Sequence, residues 1–171
     1  EVIMGNVISA GLGQNPARQV ALKGGLGNHA GAMTINKVCG SGLKAVALAA
    51  QAVAIGDSGT VVAGGMESMT NCPFLLPQLR RGKRLGHTKI LDSIVQDGLW
   101  DVYEDCHMGM TAELVAEKYG ISREAQDAYA LESHRRAVNT TKKLGFKNEI
   151  VALSVPCRQS EPVIFKHDEG P

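Results

Sequence analysis

The chain has 171 residues, enough for one domain with a real core. Its formal net charge is +1, so nothing global draws it to nucleic acid or to a membrane surface. Three Phe, one Trp and three Tyr are too few for a base-stacking surface. The most apolar run, "ALAAQAVAI", is too short to cross a bilayer.

Twenty glycines stand well above average usage, and they cluster in Gly5–Gly31 and Gly40–Gly65 without any repeat. Clusters of this kind predict tight strand–helix turns and close backbone packing. The four cysteines, Cys39, Cys72, Cys106 and Cys157, form no CxxC pair. No signal-peptide pattern is present, so reduced thiols and a cytoplasmic setting are expected. No metal and no covalently bound cofactor is expected either. The sequence opens on Glu1 in a strand-like run and stops at "HDEGP". Both ends read as cut, which predicts a fragment of a longer protein.

Residues 1–9 read as a buried strand. Asn15 is a plausible N-cap with Pro16 at the first helical position, and Gly24–Gly25 end that helix. Residues 32–38 read as a second strand. Leu43 to Ile55 carries only Lys44 and Gln51 as polar members, which predicts a core helix. "GTVVAGGMES" supplies the next strand. The order strand, helix, strand, helix, strand predicts an α/β fold with buried parallel strands.

After Met69 the character changes. "NCPFLLPQLRRGKRLGHTKILDS" carries Arg80, Arg81, Lys83 and Arg84 and reads as an extended excursion. An amphipathic helix over 110–119 stops at Gly120. A longer helix starts from an N-cap at Ser122 and ends near Lys142, Lys143 and Gly145. "EIVALSV" reads as a final strand. The expected division is a core domain over 1–69 and a loop domain over 70–171.

Cys39 sits between a strand and the start of the apolar helix. The helix's free N–H groups and its dipole favour negative charge on the sulfur. Gly40 and Gly42 leave an approach open, and turn N–H groups could hold an oxyanion. That arrangement suits acyl transfer through a thioester. A buried cysteine packing as a small hydrophobe is an equal alternative from the residues alone. A hydrolase elbow is excluded, because GxSxG is absent. The Gly11-Leu12-Gly13 run lacks the further glycine and acidic partner of a nucleotide loop.

"NKVCGSGLKAVALAAQAV" closely resembles the acyl-cysteine motif of the thiolases. The likeness extends through "EVIMGNVISAGLGQNPARQVALKGGL", "VVAGGMESMTNCPF" and "HMGMTAELVAEKYGISREAQDAYALESHRRA". The "HMGMTAE" form looks most like the biosynthetic acetoacetyl-CoA thiolases. The resemblance implies a layered α-β-α-β-α thiolase-like fold, incomplete here, and an acetyl-CoA C-acetyltransferase activity. It implies that Cys39 is the nucleophile and that its backbone N–H joins the oxyanion hole. Leu99, His107 and Met108 match positions lining the CoA and acyl-group site. Acetyl-CoA and acetoacetyl-CoA would be the substrates, with coenzyme A as substrate or product. A homodimer or homotetramer is implied, the latter through the basic excursion, whose charge could also attract CoA phosphates. Cys72, Cys106 and Cys157 are expected to be structural.

The resemblance places three further motifs in the family's C-terminal half, outside these residues. They are a Gly-His-Pro histidine that activates the nucleophile, a second cysteine that takes the α-proton, and an Asn that orders an oxyanion-hole water. The chain by itself is therefore expected to be inactive. A ketoacyl-synthase-like condensing enzyme shares the acyl-cysteine logic, but "HMGMTAE" does not look like that family. A dimerising fragment without turnover is the non-enzymatic alternative.

Overall fold

The computed structural model describes residues 1–143, 145–157 and 161–170. The chain forms two compact units, Glu1–Thr111 and Ala112–Pro171. The boundary expected at 69/70 falls inside the first unit, because the segment that follows packs back onto the same elements: Gly98 approaches the Ile8 side chain.

The first unit is built on three parallel strands, β1 (Val2–Gly5), β2 (Ala32–Ile35) and β3 (Val62–Gly65), in the order β2-β1-β3. Helix α1 (Pro16–Lys23) connects β1 to β2, and α2 (Ser41–Ala54) connects β2 to β3. The core is small and lies where the helices meet the central strand: Val2, Ile3, Ile8, Ala17, Ala21, Ala45 and Ala49 are buried.

Helix α1 starts and stops where the sequence predicts. The Asn15 side chain accepts from the Arg18 N–H at 3.2 Å, with Pro16 next and Gly24 at the C-cap. Asn15 itself is left-handed, a conformation its short polar side chain tolerates. Its amide also donates to the Ala32 carbonyl, and Thr34 Oγ1 donates to its Oδ1 at 2.8 Å. The cap thus fastens α1 to β2.

Three expectations are corrected. The strand predicted over 1–9 ends at Gly5, because the Val7 and Ile8 N–H groups turn to the Glu67 carboxylate instead of a neighbouring strand. The strand predicted over 32–38 ends at Ile35, because the Asn36 side chain accepts the Val38 N–H at 2.8 Å and closes a local turn. Helix α2 is not buried all round. Only Ser41, Ala45 and Ala49 are buried, while Leu43 is 78% and Val46 51% exposed.

The remainder of the first unit is short pairs. Strands β4 (Phe74–Leu75) and β5 (Leu91–Asp92) run antiparallel and bracket the basic excursion. A π-helical turn, Val95–Leu99, leads into the antiparallel pair β6 (Trp100–Asp101) and β7 (Cys106–His107). Helix α3 (Met108–Tyr119) begins in the first unit, continues into the second and stops at Gly120, which takes φ 63°.

In the second unit, α4 (Arg123–Lys142) is capped by Ser122, whose hydroxyl accepts from the Ala125 N–H at 3.2 Å. Two exposed ion pairs, Arg123–Asp127 and Arg136–Glu132, lie along it. Of the final strand expected over 149–155, only β8 (Leu153–Val155) forms, and it is followed by and paired antiparallel with β9 (Val163–Phe165), which carries no signal in the sequence reading. Among the described residues, no helix is long and apolar enough to cross a membrane.

The start of α2 meets the ends of β1 and β3 backbone to backbone. A Cβ on Gly5 would lie 2.6 Å from the Ser41 carbonyl carbon and 2.7 Å from the Gly42 nitrogen. A Cβ on Gly65 would lie 3.4 Å from the Gly42 Cα. Gly5→Ala is therefore expected to destabilise the fold by about 1–3 kcal/mol, the usual effect of overpacking. A lowered urea midpoint at constant m-value checks this, and an unshifted midpoint contradicts it.

Candidate active site

Cys39 is exposed and lines a cleft of about 390 Å³ in the first unit. The cleft is floored by Gly5, Gly42 and Gly65 and walled by Val38, Ile94 and Leu99. Two sequence features place the thiol there. The β2 chain ends at Ile35, and α2 begins at Ser41, so Cys39 lies on the elbow between them. The elbow can sit so low only because the floor has no side chains.

The residue before the thiol is strained. Val38 takes φ 47°, the left-handed region that a β-branched residue rarely enters. Such a conformation costs roughly 1–2 kcal/mol for an L-residue. Several bonds offset it. The Asn36 side chain accepts the Val38 N–H at 2.8 Å. The Ser41 hydroxyl donates to the Val38 carbonyl at 2.5 Å and accepts the Lys37 N–H at 2.9 Å. The Gly40 N–H donates to the Lys37 carbonyl at 3.1 Å. At about 0.5–1.5 kcal/mol each, these bonds are enough to hold the turn.

Helix α2 has Gly40 at its cap position, and no side chain caps it. Of its first-turn N–H groups, that of Ser41 is taken by the Val38 carbonyl at 3.1 Å, and the positive end of the helix dipole lies at the elbow. An anion, or a carbonyl oxygen gaining charge, finds donors there.

Glu67 braces the opposite wall. One of its oxygens accepts from Asn6 Nδ2 at 2.9 Å, the other from the Val7 N–H at 2.8 Å, and the Ile8 N–H lies at 3.3 Å from the first. Asn6 also donates to the Met66 carbonyl at 3.1 Å. The carboxylate thus locks the chain leaving β1 to the chain leaving β3.

Of the predicted site residues, Cys39 and Leu99 line this cleft. His107 and Met108 do not line it. His107 is exposed, with Nδ1 accepting the Gly109 N–H at 3.0 Å. Met108 opens α3 and is 39% exposed. Cys106 is half-buried with its sulfur 3.8 Å from the Thr111 hydroxyl. The basic residues Arg80, Arg81, Lys83 and Arg84 are exposed, and Lys83, His87 and Lys89 line a separate cavity of about 410 Å³. All four cysteines are free. No group of three or more His, Cys, Asp or Glu suited to a metal occurs among the described residues.

The sequence reading missed Val38, Ser41, Asn36, Asn6 and Glu67. The glycines of "GGMES" signalled the close approach, but nothing local marked Glu67 as the brace.

An α/β unit carrying a thiol on a strained strand-to-helix elbow defines the class of protein. The model of the thiolase N-terminal domain matches residues 1–171, and the chain belongs to the thiolase family. It is 53% identical over 171 residues to an acetyl-CoA acetyltransferase of Pseudomonas aeruginosa, covering 100% of this chain and 44% of that protein. It is 56% identical over 169 residues to an acetyl-CoA acetyltransferase of Cupriavidus necator, covering 99% and 43%. A probable acetyl-CoA acyltransferase of Staphylococcus aureus is 51% identical over 170 residues, again with 99% and 43% covered. The chain thus spans less than half the length of these curated relatives. The fold is an incomplete α/β thiolase fold.

Cys72 differs from Cys39 in its surroundings. It is half-buried, and its sulfur lies 3.3 Å from the Ser68 carbonyl. Partial burial, then the charges of Glu67 and Asp92, push its thiol pKa up. It therefore keeps its proton to higher pH than an ordinary thiol, and its reactive thiolate is scarcer at any given pH. Iodoacetamide at pH 7–8 is expected to alkylate Cys39 before Cys72, as read by peptide mass spectrometry. Equal or inverted rates would refute the contrast.

Proposed function

We propose that the chain is the nucleophile-bearing part of an acetyl-CoA C-acetyltransferase that forms or cleaves acetoacetyl-CoA through an acetyl-cysteine at Cys39. The observation that carries this reading is the exposed Cys39 thiol on a strained elbow at an uncapped helix start, in a cleft of about 390 Å³. The names of the relatives support the substrate class.

In the forward direction the Cys39 thiolate adds to the carbonyl carbon of acetyl-CoA. The oxygen gains charge, and backbone N–H groups at the elbow stabilise it. The bond to the CoA sulfur breaks, CoA leaves as a thiol with the proton that the family's activating histidine, placed by the resemblance outside these residues, took from Cys39, and Cys39 holds the acetyl group. A second acetyl-CoA then loses an α-proton to the family's second cysteine, which the resemblance places outside these residues. Its carbanion attacks the acetyl-cysteine, a carbon–carbon bond forms, and the Cys39 thiolate departs. Leu99 supplies an apolar wall for the acyl group. His107 and Met108 are assigned to the pantetheine further along the substrate.

No metal and no bound cofactor takes part in this scheme; CoA is substrate or product. The excursion around Arg80–Arg84 contributes attraction for the CoA phosphates and an association surface for a homodimer or tetramer. A cytoplasmic setting suits a reduced nucleophile.

The test is acetoacetyl-CoA thiolysis by the complete gene product beside its Cys39→Ala variant. Loss of at least about a thousandfold in kcat is expected on removing the nucleophile. The 171-residue chain alone is expected to show no Cys39-dependent turnover. Activity that survives in the complete Cys39→Ala protein would overturn the mechanism. A complete wild-type protein without turnover would favour a non-catalytic association module.

A further inference from the structure

We infer that Asn36 and Ser41 are positioning residues for the nucleophile, acting through the left-handed backbone of Val38. The inference rests on the reading of Cys39 as the nucleophile and adds how the chain aims it.

Val38 takes φ 47°, yet its side chain is 49% exposed, so packing does not hold it there. Side-chain hydrogen bonds do. The exposed Asn36 accepts the Val38 N–H from one side. Ser41, only 4% exposed, grips the other side: its hydroxyl donates to the Val38 carbonyl and accepts the Lys37 N–H. Its own N–H donates to the same Val38 carbonyl at 3.1 Å. Released from these bonds, a valine returns to the extended region that β-branched residues prefer. The next residue then swings, and the Cys39 sulfur leaves its place on the lining of the cleft beside Gly42 and Gly65.

This predicts a dependence that a purely structural role would not produce. A glycine at position 38 enters the left-handed region without strain. It should make the two side chains dispensable for aiming the thiol. The experiment measures iodoacetamide alkylation of Cys39 by peptide mass spectrometry, with exposed Cys157 as the internal reference. The variants are Ser41→Ala, Asn36→Ala and Val38→Gly, singly and with each of the first two combined with the third.

Ser41→Ala and Asn36→Ala are each expected to slow Cys39 about fivefold, the scale of losing one hydrogen bond that holds the turn, with Cys157 unchanged. In the Val38→Gly background each is expected to slow it less than about twofold. Equal losses in both backgrounds would overturn the inference. So would a Cys39 rate that Ser41→Ala leaves unchanged or raises. Should Ser41→Ala fail to fold, the Asn36 pair decides alone, since Asn36 is exposed and its removal empties no buried site. Alkylation needs no CoA ester, so a failed cycle leaves the thiolase reading standing, while a thiolysis-competent Cys39→Ala protein removes that reading whatever the cycle gives.

Discussion

The contact on which this structure turns is the approach of the first turn of α2 to the bare backbones of Gly5 and Gly65. A methyl at Gly5 would meet the Ser41 carbonyl carbon at 2.6 Å, inside any tolerable separation. The ends of β1 and β3 and the start of α2 are therefore one rigid junction. The cleft inherits its floor from that junction, and the elbow inherits its height. Glu67 secures the junction from the far side by accepting N–H groups that β1 would otherwise leave open as it ends. The elbow that carries Cys39 is supported from beneath by residues that have no side chain at all.

The same junction explains the composition of α2. A helix held this close to a sheet can present only small side chains to it, and Ser41, Ala45 and Ala49 fall on one stripe at spacings of four. Its remaining faces are apolar as well, and here they are largely exposed: Val46 is 51% and Val53 48% accessible. An all-round apolar pattern reports what a helix can tolerate as neighbours. It does not report which faces are covered in a given length of chain.

What the sequence disclosed follows from how far each signal reaches. The limits of α1 were legible to the residue, because Asn15, Pro16 and Gly24 act within one turn of themselves. That the strands run parallel followed from their alternation with helices. Cys39 was visible as a thiol before a helix, and the motif around it removed the ambiguity with a buried cysteine. Glu67 was not legible, because its role needs the order β2-β1-β3 to bring it beside Asn6, Val7 and Ile8, some sixty positions earlier. Val38 was misleading. A valine after "TINK" continues a strand by propensity, and only the bonds from Asn36 and Ser41 reverse that preference. Leu99 carried no periodic signal and entered through the family likeness alone.

That reversal has a chemical consequence. On the proposed reading of Cys39 as the acyl carrier, the sulfur needs to be open and its direction of approach fixed. Openness argues for a loop, and direction argues for a packed element. An elbow whose one strained residue is tied from both sides meets both needs. Val38 and Cys39 remain exposed while the Ser41 anchor is buried in the first turn of α2. Strain of this kind persists only where the surroundings over-determine it. Here the surroundings are a glycine floor beneath, a helix start behind and two side-chain oxygens at the flanks, all converging on the residue that immediately precedes the thiol.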